Sequence, residues 1–316
     1  MDTVASSPSS PSLLETVNRY LGLIRFSHTI FALPFALLAT FWAFVVPLPN
    51  NTNLGWSWLN LLGILLCMVS ARSFAMAINR LFDHKFDAAN PRTQGRHLPA
   101  GQLSRRGVWL FTAACVLMFV LGCAMFLPNP IPLVAATPVL LFLAGYSLAK
   151  RFTRMAHYWL GVALMLAPIC AWLALRGEYV LSNPIDILPA IWLGGVVLFW
   201  VGGFDIIYAC QDYEVDQELG LHSIPAKIGV RNALRVAKVS HAIMWFIAAG
   251  MTIFVPQLSL GIAFWIALGA IAVLLVWQHS VVSDRSLERI NLAFFQLNSV
   301  ISILFLAVGS LDAWFR

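Results

Sequence analysis

The chain carries only fourteen Asp and Glu residues among 316, and half of them fall in two short stretches. The first stretch, Asn79-Arg-Leu-Phe-Asp83-His-Lys-Phe-Asp87, places an amide and two carboxylates four residues apart. On a continuing helix all three project from one face. The second carries Asp205, Asp212 and Asp216 at i, i+7 and i+11, again one helical face, with Glu214 and Glu218 pointing off it. Like charges at helical spacing repel one another, so the two Asp sets call for a cation, whereas Glu214 and Glu218 read as solvated. Oxygen-only ligands on two facing helices suit a hard divalent ion such as Mg²⁺. That ion prefers carboxylates, retained waters and substrate phosphates to His or Cys.

Basic residues flank both sets. Arg92 and Arg96 follow the first, Lys150 and Arg151 follow Tyr146, and Lys227 follows the second. Singly, each reads as a determinant of topology. Together they form a cradle for an anion such as a metal-bound diphosphate, whose charge one ion does not cancel. The five cysteines (Cys67, Cys115, Cys123, Cys170, Cys210) show no metal-type spacing and read as small core residues.

The elements that position these groups must be membrane helices. With 60% hydrophobic and 11% charged residues and a mean hydropathy of +0.80, the chain excludes a soluble globular domain, which carries about a quarter charged residues. Nine apolar stretches are long enough to cross a bilayer, near 22–46, 58–80, 108–127, 131–149, 157–175, 187–209, 237–255, 258–277 and 291–312. Within lipid each must be helical, because an open backbone finds no water there. The expected fold class is an all-α membrane bundle with nine transmembrane helices, forming one domain over 15–316. Residues 1–14, rich in Ser and Pro, read as a disordered cytoplasmic tail rather than a signal peptide. Of the 20 Lys and Arg residues, all but Arg72, Arg176 and Arg316 fall at the N-terminus or in the even-numbered loops. The positive-inside bias therefore places that side in the cytoplasm. The net charge of +6 is accounted for by topology and needs no nucleic-acid partner. The two acid sets end spans that are four apart, which suggests a pseudo-repeat of two halves facing one site.

Asn79-x-x-x-Asp83-x-x-x-Asp87, Asp212-x-x-x-Asp216 and Tyr146-x-x-x-Lys150 on a nine-span chain resemble the UbiA superfamily of intramembrane prenyltransferases. The stretches NRLFDHKFDAANPRT and DIIYACQDYEVDQELGLHSIPAKIG are most similar to its 4-hydroxybenzoate polyprenyltransferase branch, especially the bacterial enzymes of menaquinone routes. In many relatives Pro follows the arginine at Arg96, where this chain has His97. The resemblance implies a multi-pass protein of the bacterial inner membrane with its site facing the cytoplasm. It implies Mg²⁺-dependent transfer of a polyprenyl group from a lipid diphosphate to an aromatic acceptor, either 4-hydroxybenzoate or a naphthol or naphthoate, with the tail in an apolar tunnel.

On that reading Asn79, Asp83 and Asp87 hold one metal ion, and Asp212 and Asp216 hold another. Asp205, deeper in its span, is either a further ligand or the group that activates the phenol. The diphosphate falls to Arg92, Arg96, Tyr146, Lys150, Arg151 and Lys227. Arg72, inside a span and in register with Asn79, needs a partner: it either pairs with an Asp of the site or receives the acceptor carboxylate. Arg25 is a similar candidate, and nearby His28 reads as a core histidine. A secondary transporter is the competing class. However, transporter sites lie near the bilayer midplane, whereas these acids lie at the ends of their spans.

Overall fold

The computed structural model describes residues 12–25, 31–48, 52–283 and 289–315. His28 and most of the expected tail lie outside these residues. The part of the tail that is described is helical. Helix α1 (Leu13–Leu23) starts on Ser12, whose hydroxyl accepts the Glu15 N–H while the Glu15 carboxylate accepts the Ser12 N–H. This capping box satisfies two end-of-helix donors at once, and it makes Leu13 and Leu14 helical.

Next come α2 (Leu33–Val45), α3 (Trp58–Phe82), α4 (His84–Ala89), α5 (Arg105–Ala124), α6 (Ile131–Ala149) and α7 (Ala156–Ser182). The second half holds α8 (Leu188–Ala209), α9 (Tyr213–Glu218), α10 (Ile224–Ile228), α11 (Val230–Phe254), α12 (Ile262–Ser280) and α13 (Leu297–Trp314). Ser57 and Ser104 cap α3 and α5 by accepting N–H bonds from Asn60 and Gly107.

Among the described residues eight helices are long and apolar enough to cross a membrane. The first expected span, near 22–46, is not one of them. Its chain leaves α1 through Arg25, which has a φ of 46°, and α2 has only 13 residues. At 1.5 Å per residue, α2 rises about 20 Å, short of a hydrocarbon core about 30 Å thick. The helix is enclosed by protein instead, packed against α7 and α13, with Phe35, Leu38, Ala39 and Trp42 fully buried.

The carbonyls at its C-terminal end find a donor inside the bundle. Fully buried Arg176 of α7 donates to Ala43 O at 3.1 Å, Val46 O at 2.8 Å and Pro47 O at 3.2 Å, and it pairs with buried Asp186. One guanidinium thus serves orphan carbonyls and a carboxylate together.

Helix α8 lies at the centre, flanked by α7 and α11, while α3 packs on α5 and α6. Gly161 permits the α7–α8 approach: a Cβ there would lie 2.5 Å from Leu198 O. Small residues at such crossings let membrane helices meet backbone to backbone.

Neither acid set rides an unbroken helix. Helix α3 ends at Phe82 and Asp83 joins it to α4, with the Asp87 N–H bonded to Asp83 O at 2.7 Å. Likewise α8 ends at Ala209, a 3₁₀ turn spans Cys210–Asp212, and Asp212 opens α9. Each break turns its second carboxylate inward, leaving Asp87 and Asp216 buried.

Candidate active site

A cavity of about 240 Å³ opens between the broken helices. Its walls carry Asn79, Asp83 and Asp87 from the first set and Asp205, Asp212 and Asp216 from the second. The basic groups Arg25, Arg72, Arg92, Arg96, Lys150 and Arg151, and Tyr146, also line it. Lys227 does not. It sits exposed in the last turn of α10, and α11 follows directly after Gly229 (φ 80°).

Salt bridges tie the two sets together. Arg92 forks onto Asp212, with Nε to Oδ1 at 2.8 Å and Nη2 to Oδ2 at 2.5 Å, and Asn90 Nδ2 donates to the same Oδ1 at 3.1 Å. The loop after the first set thereby grips the second. Arg96 donates to Asp87 Oδ1 at 2.6 Å. Arg151 reaches Asp83 Oδ1 at 3.3 Å and Phe82 O at 2.7 Å. Asn79 Nδ2 donates to Asp83 Oδ2 at 2.7 Å. Bidentate guanidinium–carboxylate contacts are strong and directional.

The remaining oxygens are under-served. Asp87 Oδ2 and Asp216 Oδ2 are buried and, among the described residues, lack a hydrogen-bond partner. The cations facing them, Arg80 Nη1 and Lys150 Nζ, both stand 3.7 Å away. Burial, and after it the neighbouring charge of Asp87, pushes the Asp83 carboxyl above the usual carboxylate range despite Arg151. Burial pulls the Lys150 ammonium down, but the carboxylates led by Asp216 outweigh it and raise its pKa. No three His, Cys, Asp or Glu side chains among the described residues form a ready-made metal cluster. The donor set is instead open, oxygen-rich and anion-facing.

Arg72 makes no ion pair among the described residues, and its buried Nε lacks a hydrogen-bond partner. The expected pairing with a site Asp is therefore not what the structure holds. Arg72 lies where the polar cavity adjoins a second, apolar one of about 170 Å³ between α3, α5, α6 and α7. Met76, Tyr146, Leu160 and Leu164 line both.

Among the lining residues that escaped the sequence reading are Arg80, Asn90 and Tyr208. Arg80 is 6% exposed beneath Asp87, and its place in the same helical run as Asn79 was the available signal. Asn90 precedes the loop arginines. The Tyr208 hydroxyl accepts from Arg92 at 3.1 Å and Arg25 at 3.4 Å; it lies one turn before Asp212. Glu214 and Glu218 are exposed, as their positions off the shared face require.

The family model described as the UbiA prenyltransferase family matches residues 32–300. The 4-hydroxybenzoate octaprenyltransferase of Dechloromonas aromatica (strain RCB) is 30% identical over 220 residues, covering 69% of this chain and 70% of that protein. The apo structure of a UbiA homolog from Aeropyrum pernix K1 superposes with a TM-score of 0.76 at 27% identity, covering 89% of this chain and 96% of the other. The structure of a UbiA homolog from Archaeoglobus fulgidus bound to DMAPP and Mg²⁺ shares the fold. Its TM-score is 0.67 at 22% identity, over 94% of this chain and 100% of that one. With two broken helices facing one acid-lined, arginine-rimmed cavity in a multi-pass helical bundle, the chain belongs to the UbiA prenyltransferase family and is a prenyltransferase.

Proposed function

We propose that the protein transfers a polyprenyl group from its diphosphate to an aromatic acid, 4-hydroxybenzoate or a close relative, with Mg²⁺ as cofactor, in quinone biosynthesis. The observation that carries this reading is the joining of two cavities: an acid-and-arginine chamber and an apolar one, with Arg72 at their junction. The relative from Dechloromonas aromatica bears the name of that activity, and the homolog from Archaeoglobus fulgidus was solved with a prenyl diphosphate and Mg²⁺. The basic residues around the broken helices favour a cytoplasmic site in the bacterial inner membrane.

The donors fit the metal. Asn79, Asp83 and Asp87 would hold one ion and Asp212 and Asp216 the other, and the orphaned Asp87 Oδ2 and Asp216 Oδ2 are oxygens of the kind Mg²⁺ takes. When bound, the metal offsets the charge of the diphosphate and of the leaving group. Arg92, Arg96, Lys150, Arg151 and Tyr146 bind what diphosphate charge remains, while the apolar cavity holds the tail and excludes water from the allylic carbon. Arg72, with Arg25 of the same chamber, receives the acceptor carboxylate and so orients the ring toward that carbon. Asp205, which lines the same chamber, activates the phenol or serves as a further ligand. The ring then attacks as pyrophosphate leaves, and a ring proton is lost.

A transfer assay on purified protein tests this, using a short prenyl diphosphate and 4-hydroxybenzoate with and without EDTA. Metal-dependent prenylated product supports the reading. Product only with a naphthol or naphthoate keeps the transferase and moves the acceptor. Silence with every aromatic acceptor refutes the reading.

A further inference from the structure

We propose that His157 is a positioning residue for the reaction, a neutral imidazole that aims Asp205 into the chamber and pins the α9–α10 loop behind it. The proposal rests on the reading of Asp205 as part of the transferase site.

Three elements meet at this ring. His157 opens α7 and is fully buried; its Nδ1 lies 2.7 Å from Asp205 Oδ2 on α8. The Asp205 side chain keeps 16% of its surface exposed and lines the chamber. On the other side of the ring, Nε2 lies 3.3 Å from the backbone nitrogen of Ile224, the first residue of α10. A backbone N–H can only donate, so Nε2 must present its lone pair to Ile224 and the ring proton must sit on Nδ1. Nδ1–H then donates to Asp205. The second contact thus determines the tautomer that the first one needs.

The Ile224 N–H has reason to seek this acceptor. It is one of the orphan donors of a helix start, and the Ser223 hydroxyl already serves Ala226. The same loop is tied a second time where the His222 N–H donates to Lys150 O at 2.7 Å. Its residues Leu219 and Leu221 line the chamber. A carboxylate held by a buried N–H donor keeps one rotamer, as outer-shell partners do for ligands at metal sites.

Gln can replace both bonds, its NH₂ donating and its carbonyl accepting, whereas Leu fills the space and replaces neither. The experiment compares wild type, H157Q and H157L in detergent by steady-state kinetics, thermal melting and hydrogen exchange over residues 219–228. For H157L at an unchanged melting temperature, kcat should fall roughly tenfold or more, with the donor KM within about threefold. Exchange in the loop should speed up. H157Q should keep kcat within about threefold of wild type and protect the loop.

A kcat for H157L within about twofold of wild type overturns the proposal. So does a folded H157Q as slow as H157L, which would give the imidazole itself a chemical role. Should H157L fail to fold, H157N takes its place, because the shorter amide reaches only one partner; the same two results decide. If wild type prenylates no aromatic acceptor, the proposed reaction fails, and the exchange comparison still decides the bridge.

Discussion

Among the described residues, Asp87 and Asp216 each bury a carboxylate oxygen that accepts no hydrogen bond, with its nearest cation 3.7 Å away, a costly arrangement unless a closer cation completes it. Their partners Asp83 and Asp212 stand at the helix breaks. D83A and D212A should each lower kcat by about 1000-fold or more, since metal-assisted charge stabilisation is worth several kcal/mol. Unchanged gel-filtration profiles would show that the fold survives, and full activity in either variant would remove that residue from the metal set. Arg72 supports a second prediction. Its guanidinium lacks an acid partner among the described residues, so R72Q should raise the acceptor KM about 10- to 100-fold while leaving the donor KM alone. With an acceptor whose carboxylate is esterified, R72Q and wild type should behave alike; a penalty that persists would assign Arg72 to the donor. The Asp sets, Arg92 and Lys150 were legible in the sequence because each stands within a few residues of the others in its own segment, a clustering that the helix breaks at Asp83 and Asp212 do not undo. His157 was not, because its partner Asp205 belongs to another helix and only packing brings the two together.

At the scale of the element, eight spans followed from length and hydropathy, and the first did not. The apolar run near 22–46 reads as membrane-spanning, but hydropathy cannot separate a helix facing lipid from one enclosed by protein. Helix α2 is of the second kind, and what terminates it is distant in sequence. Arg176, which the charge count sets on the side opposite the even-numbered loops, is fully buried and closes the helix through three carbonyls while pairing with Asp186. Removing one member of a buried, hydrogen-bonded ion pair costs about 3–5 kcal/mol. R176L should therefore lower the melting temperature in detergent sharply. D186N, which leaves the guanidinium its carbonyls, should lower it less. Equal melting for R176L and wild type would mean that α2 holds its place without this cap. The helix breaks at Asp83 and Asp212 were also illegible, since no Pro or Gly marks either one.

The whole molecule joins a charged chamber to an apolar one, and composition could not reveal that junction. The residues lining the apolar cavity have the same character as those facing lipid, so a sequence rich in Phe and Leu is compatible with a tunnel or with none. Geometry supplies the ordering. Leu160 and Leu164 line both cavities, and Ala167, Ala171 and Ala174 continue along α7 in the apolar one alone. At 1.5 Å per residue, Ala167 lies about 10 Å and Ala174 about 21 Å from Leu160 along the helix. If the polyprenyl tail runs down this wall, a bulky side chain acts as a stop whose position sets the longest donor tolerated. Overpacking such a site costs about 1–3 kcal/mol, or roughly 10- to 100-fold. A167F should keep dimethylallyl diphosphate as a donor and lose that factor in kcat/KM for long polyprenyl diphosphates. A174F should admit an intermediate chain before the same loss sets in. The measurement is kcat/KM against donor length for both variants. A break that moves outward from A167F to A174F places the tail along α7, whereas losses independent of chain length would place it elsewhere in the bundle.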